Sequence, residues 1–242
     1  MKHRPEIDGI RALAVLPVIL FHAGFDLFSG GYIGVDIFFV ISGYLITTII
    51  IEDLELKRFS IINFYERRAR RILPALFFIV LVTLVFSVFF LPPHALKDVG
   101  QSVFSVSLFL SNFFFYIETD YFANTSELAP LLHTWSLSIE EQFYILFPFI
   151  LLLIKNFSQF IKFLIILVIL IFSLIASEWW VKVDSQFSFF MPFTRFWEII
   201  TGSLLAVSRS SWNRINSMFV KETFSLVGLI IILFCIFFYN KQ

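Results

Sequence analysis

The stretch Ile72 to Leu91 contains no charged residue, nor does Phe163 to Ser177, and apolar runs of this kind recur along the chain. A helix needs about 20 apolar residues to cross a bilayer, so these runs limit the fold more than any other feature. Seven spans are expected, at Ile10 to Phe28, Ile33 to Ile51, Ile72 to Leu91, Trp135 to Ile154, Phe163 to Ser177, Phe193 to Ala206 and Phe224 to Tyr239. None of them alternates in the manner of a barrel strand, so the expected class is an all-α, polytopic transmembrane helix bundle. Composition agrees: 59% of residues are hydrophobic, only 15% are charged, and 35 are Phe. That excludes both a water-soluble globule and a disordered chain. A net charge of zero provides no basic field for nucleic acid. The lone Cys235 has no intramolecular disulfide partner.

Lys and Arg gather on alternate joints. With the N-terminus inside, 14 of the 18 fall in residues 1–11, 52–71, 155–162 and 209–221, as cytoplasmic loops require. This parity holds only if Val99 to Ile117, interrupted by serines and Asn112, does not cross. It is expected to be re-entrant or interfacial. The tryptophans, Trp135 and Trp212 among them, fall near expected span ends, as an aromatic belt would place them. The reading is a multi-pass membrane protein with a cytoplasmic N-terminus.

Polar residues within the apolar runs are the candidate site. Arg11 and His22 are 11 residues apart, about three helical turns, so they share a face roughly 16 Å apart along the axis. Arg11 reads equally as a positive-inside anchor, whereas an ionisable His22 at membrane depth is costly and points to function. Pro17 between them interrupts the helix ladder. Asp36 lies near the outer end of the second span, placed either to orient the imidazole or to favour the helix dipole. Ser42, beside Gly43, suits an interhelical hydrogen bond.

An inside loop carries four arginines in five residues, Arg67, Arg68, Arg70 and Arg71. It is a topology anchor or an anion site, and bidentate phosphate recognition prefers Arg to Lys. The outer joint enters the fourth span as LLHTWSLSIEEQFY, which brings Trp135, Ser136, Ser138, Glu140 and Glu141 to the boundary. Ser138 with Glu141 fits a capping box, which leaves Glu140 unassigned. In RFWEIITG, Arg195 and Glu198 are spaced to pair, as structure or as site. GxSxG, CxxC and metal-ligand histidine spacing are missing from the sequence, so no metal is expected.

Five blocks then resemble acyltransferase family 3, membrane O-acyltransferases of bacterial surface glycans such as O-antigen: EIDGIRALAVLPVILFH, GGYIGVDIFFVISGYLI, FYERRARRILP, LLHTWSLSIEEQFYILFP and RFWEIITG. The resemblance implies transfer of an acyl group, usually acetyl, from cytoplasmic acyl-CoA to a hydroxyl of a surface carbohydrate such as O-antigen. It implies that Arg11 and His22 are the family's essential pair, and that Arg68 with Arg71 serve the CoA donor. Residues and resemblance together give an expected mechanism. Arginines including Arg67 hold CoA phosphates, and the thioester enters the bundle. His22 then acts as general base or as transient acyl carrier, with Asp36 and Glu140 beside it and Ser42, Trp135, Ser136, Arg195 and Glu198 in support. The expected partners are acyl-CoA, a glycan acceptor and membrane lipid. Family members have about ten spans, some followed by an SGNH esterase-like domain. Residues 1–242 are therefore expected to be the N-terminal part of a longer transmembrane domain. The rival class is a proton-coupled transporter or flippase, which would leave the thioester intact.

Overall fold

The computed structural model describes residues 4–118, 129–209 and 217–239, and among these every regular element is helical. The α-helices are α1 Pro5–His22, α2 Gly34–Glu55, α3 Ile61–Phe90, α4 Pro93–Ser107, α5 Ser111–Glu118, α6 Thr134–Ile154, α7 Gln159–Val183, α8 Ser185–Phe190, α9 Pro192–Val207 and α10 Met218–Phe238. Two 3-10 turns, Asp26–Phe28 and Gly31–Ile33, join α1 to α2. Start signals are local. Pro5 opens α1 with Glu6 and Asp8 in its first turn. Ser60, Asp184 and Ser217 cap α3, α8 and α10 by accepting backbone N–H bonds. The chain forms two compact units, to both of which α2, α7 and α9 contribute.

The first unit holds residues 1–49, 158–167 and 198–242. Small residues make its helix contacts. A Cβ on Gly43 would strike the Ile199 carbonyl of α9, and one on Gly202 would strike the Val40 carbonyl of α2. The two backbones therefore meet at paired glycines, the device by which helices associate where lipid removes any hydrophobic drive. One turn further on, Thr47 donates to Ser203 at 2.8 Å, both side chains being fully buried. Gly31 and Gly34 bring the start of α2 against the Pro17 and Ala14 carbonyls of α1, and the Gly30 N–H donates to Ile236 of α10 at 3.0 Å.

The second unit holds residues 50–157 and 168–197. Here a polar network pins α5 to α6. Ser111 and Ser138 hydroxyls are 2.7 Å apart, Thr134 donates to Ser111 at 3.0 Å, and Gln142 donates to Asn112 at 2.9 Å. Asn112, fully buried, donates to the Phe190 carbonyl at 3.0 Å. Tyr116 of α5 donates to Asp184, between α7 and α8, at 3.0 Å. That bond holds its phenol above the ordinary range.

Among the described residues five helices are long and apolar enough to cross a membrane, at Gly31–Glu55, Ile61–Phe90, Thr134–Ile154, Gln159–Val183 and Met218–Phe238. This is a multi-pass, all-α membrane bundle. The other two expected spans are helical but less suited to crossing. The 18 residues of α1 carry Glu6, Asp8 and Arg11, and α9 has 16 residues, roughly 24 Å. Val99 to Ile117 is divided between α4 and α5, of 15 and 8 residues, broken where Phe109 takes a φ of 56°. Neither piece reaches across a bilayer.

Two local expectations are corrected. The arginine cluster is not in a loop but inside α3, because its flanking apolar residues continue the helix from Ile61. Ser138 is no cap either: α6 starts at Thr134, so Ser138 is interior and its hydroxyl meets Ser111. Trp212 and most of the acidic joint, at 119–128, lie outside the described residues.

Candidate functional site

Helical geometry sorts the four arginines of α3, each of which meets a different environment. Arg67 donates to Asp53 at 3.1 Å, and the same carboxylate accepts from Arg58 at 2.7 Å. Asp53, at the end of α2, is 8% exposed, so two cations offset its burial. Arg70 places both Nε and a terminal nitrogen on one oxygen of Glu66, at 3.0 and 2.8 Å, on the exposed face. Arg68 turns inward with its Cζ 3.9 Å from the centroid of the Tyr144 ring. Arg71 is exposed and, among the described residues, pairs with no carboxylate. Thus Arg67 and Arg70 already have carboxylate partners within the protein. Arg68 and Arg71, at i and i+3, keep their capacity for an external anion.

Behind Arg68 lies a buried acidic pair on α6. Glu140 and Glu141 are 8% and 9% exposed. The Tyr144 hydroxyl, one turn along, donates to Glu140 Oε1. Glu141 lies within electrostatic reach of both Glu140 and Arg68, and its Oε1 is buried without a hydrogen bond. Arg68 Nε is likewise buried without an acceptor. At the start of α6, Trp135 is 4% exposed and stacks near Phe189, with ring centroids 4.3 Å apart, while the Arg195 guanidinium stands 5.7 Å from its ring. Trp135 and Arg195 are therefore brought together. Among the described residues Ser136 donates only to the His133 carbonyl of its own turn, at 3.2 Å.

In the first unit, Arg11 and His22 stand on the one helix α1. Arg11 pairs with Asp8 at 3.1 Å, one turn towards the N-terminus, in an exposed bridge of the kind that contributes at most about 1 kcal/mol. His22 Nδ1 is 2.8 Å from the Val18 carbonyl. A carbonyl only accepts, so Nδ1 carries the proton and the Nε2 lone pair is available to act as a base. His22 lies exposed on the surface of the chain at the end of α1, where the helix stops and the chain turns away through Asp26–Phe28. Asp36 is half-buried in the first turn of α2, Ser42 is 7% exposed, and Glu198 is 1% exposed. Among the described residues no group of three His, Cys, Asp or Glu is placed to hold a metal.

Sequence reasoning missed Asp53, Tyr144 and the inward position of Glu141. Tyr144 had a visible signal, its i, i+4 spacing from Glu140. Asp53 had none, since its partner is 14 residues away on another helix.

Comparison with known proteins is extensive. The model described as "Acyltransferase domain", of acyltransferase family 3, matches residues 4–242. Peptidoglycan O-acetyltransferase OatA of Listeria monocytogenes is 37% identical over 212 residues, covering 85% of this chain and 34% of that protein. O-acetyltransferase OatA of Staphylococcus aureus is 34% identical over 210 residues, covering 85% and 34%. Putative peptidoglycan O-acetyltransferase YrhL of Bacillus subtilis is 34% identical over 256 aligned positions, covering 99% and 40%. The chain thus spans 34 to 40% of the length of these relatives. No solved structure matches.

Proposed function

Because the chain belongs to acyltransferase family 3, we propose that it is the membrane part of an O-acyltransferase that moves an acyl group, acetyl by preference, from cytoplasmic acyl-CoA to a hydroxyl of a cell-surface carbohydrate. The observation that carries this reading is the family match over residues 4–242. The acceptor moves from the O-antigen expected at first to a peptidoglycan saccharide, since two of the three relatives above carry peptidoglycan in their names. The cytoplasmic membrane, with the N-terminus inside, is the matching location.

Arg68 and Arg71 engage the phosphates of the CoA donor, a role supported by the carboxylate partners that occupy Arg67 and Arg70 but not these two. His22 Nε2 takes the proton of the sugar hydroxyl as that oxygen attacks the thioester carbonyl. The C–S bond breaks, CoA leaves as thiolate, and the imidazolium returns the proton to it. The bond to Val18 keeps the other ring nitrogen protonated, which supports this role.

Membranes carrying the full-length protein, given labelled acetyl-CoA and peptidoglycan fragments, test the reading. Label on the saccharide with release of CoA is expected. Intact thioester alongside movement of a solute or glycan would replace the reading with transport.

A further inference from the structure

We propose that Tyr144 is a positioning residue that sets the Arg68 guanidinium for its anionic ligand, and that Glu140 holds Tyr144 in turn. This rests on the reading of Arg68 as a donor contact. The geometry is specific. A guanidinium 3.9 Å from a ring centroid lies at the close end of the cation–π range, where the flat cation meets the face of the ring. A cation held over the π face needs none of its N–H groups as donors to a carboxylate. Arg67 and Arg70 are fixed the other way, by carboxylates that take those same N–H groups. Among the described residues Arg68 donates to no carboxylate, and its Nε is buried without an acceptor. Arg68 is thus the one arginine of the cluster that is both oriented and chemically unspent.

The platform is itself constrained. Tyr144 is 2% exposed, and a buried phenol requires a hydrogen-bond partner. Glu140, one turn back on α6, supplies it and fixes how the ring can swing. Glu141 lies within electrostatic reach of Arg68 without closing an ion pair. The arrangement therefore keeps a cation half-buried, pre-aimed and available, which removes part of the ordering cost of binding an anion.

The experiment compares Tyr144→Leu, Tyr144→Phe, Glu140→Leu and Arg68→Ala in full-length protein in membranes, reading KM for acetyl-CoA, KM for the peptidoglycan acceptor and kcat on the inserted fraction. Tyr144→Leu is expected to raise the donor KM about 5- to 30-fold, the range of a desolvated cation–π contact, with the acceptor KM unchanged. Tyr144→Phe keeps the ring but loses its bond to Glu140, so it should raise the donor KM by a smaller factor than Tyr144→Leu. Glu140→Leu removes the same bond and should match Tyr144→Phe, so it serves if the Leu variant fails to insert. In the Arg68→Ala background, Tyr144→Leu should change the donor KM by less than about 2-fold, because its effect passes through Arg68. A wild-type donor KM in Tyr144→Leu, full additivity with Arg68→Ala, or a kcat loss as large in Phe as in Leu would each overturn the proposal. If Arg68→Ala itself leaves the donor KM unchanged, the donor reading beneath it fails instead.

Discussion

Replacing Asp53 by Ala removes one carboxylate and two charge-assisted hydrogen bonds, to Arg58 at 2.7 Å and to Arg67 at 3.1 Å. Hydrogen bonds to charged groups contribute about 1.5–3 kcal/mol when desolvated. That range is too high here. Asp53's side chain is 12% exposed, but those of Arg58 and Arg67 are 60% and 56% exposed, so both guanidinium groups return to solvent when the carboxylate goes. No uncompensated buried charge remains, and each bond is discounted towards the surface value of up to about 1 kcal/mol. The expected loss is about 1–2 kcal/mol, a fall in Tm of roughly 2–8 °C for a chain of this size. Glu66→Gln is the control, because Arg70 and Glu66 are 80% and 53% exposed. It should cost no more than about 0.5 kcal/mol. Fluorescence-detected melting of the purified protein in one detergent, at low and high salt, reads both. Salt should narrow the Glu66 difference and leave most of the Asp53 difference. An Asp53→Ala protein that melts with wild type, or a Glu66→Gln protein that falls as far, would refute the ranking of these pairs by burial.

His22→Ala should lower acyl transfer about 100- to 10,000-fold while the protein still inserts and binds acetyl-CoA; wild-type transfer from a normally inserted variant would return His22 to a structural role. Arg68→Ala with Arg71→Ala should raise the donor KM and spare the acceptor KM, whereas Arg70→Ala should alter neither, since Glu66 already occupies Arg70. Gly43→Leu should prevent assembly of α2 with α9, seen as loss of monodisperse protein after extraction, because any side chain there meets the Ile199 carbonyl; normal yield would mean that the helices can separate at little cost. In a Cys235→Ser background, a cysteine at Arg58 should resist an impermeant thiol reagent on intact cells and react after permeabilisation. Labelling on intact cells would reverse the orientation.

Much of the fold was legible because membrane helices obey local rules. A run such as Ile72 to Leu91 must satisfy its own backbone hydrogen bonds in lipid, so length and apolarity alone identify it as helix. α6 begins one residue from its expected start, α7 encloses its expected span, and α3 covers all of its own but Leu91. Ends were less legible where polar residues continue a helix instead of stopping it. Four arginines look like a loop by composition, but arginine is a good helix former, and α3 runs through them from its Ser60 cap. His22 was read at the right turn of the right helix, but its exposure depends on what surrounds the end of α1, which spacing cannot report.

Sequence alone therefore determined the class of fold, the family and the residue types available for chemistry, for these follow from the order of residues along one chain. Only the tertiary structure decided which of four neighbouring arginines keeps its hydrogen-bonding edge. Positions 67, 68, 70 and 71 point around α3 at about 100° per residue, so each meets a different neighbour. Those neighbours come from distant stretches of the chain: Asp53 at the end of α2, Tyr144 on α6. Along the chain the arginines look equivalent. Partners that meet only when the helices pack hold Arg67, stack Arg68 and leave Arg71 open.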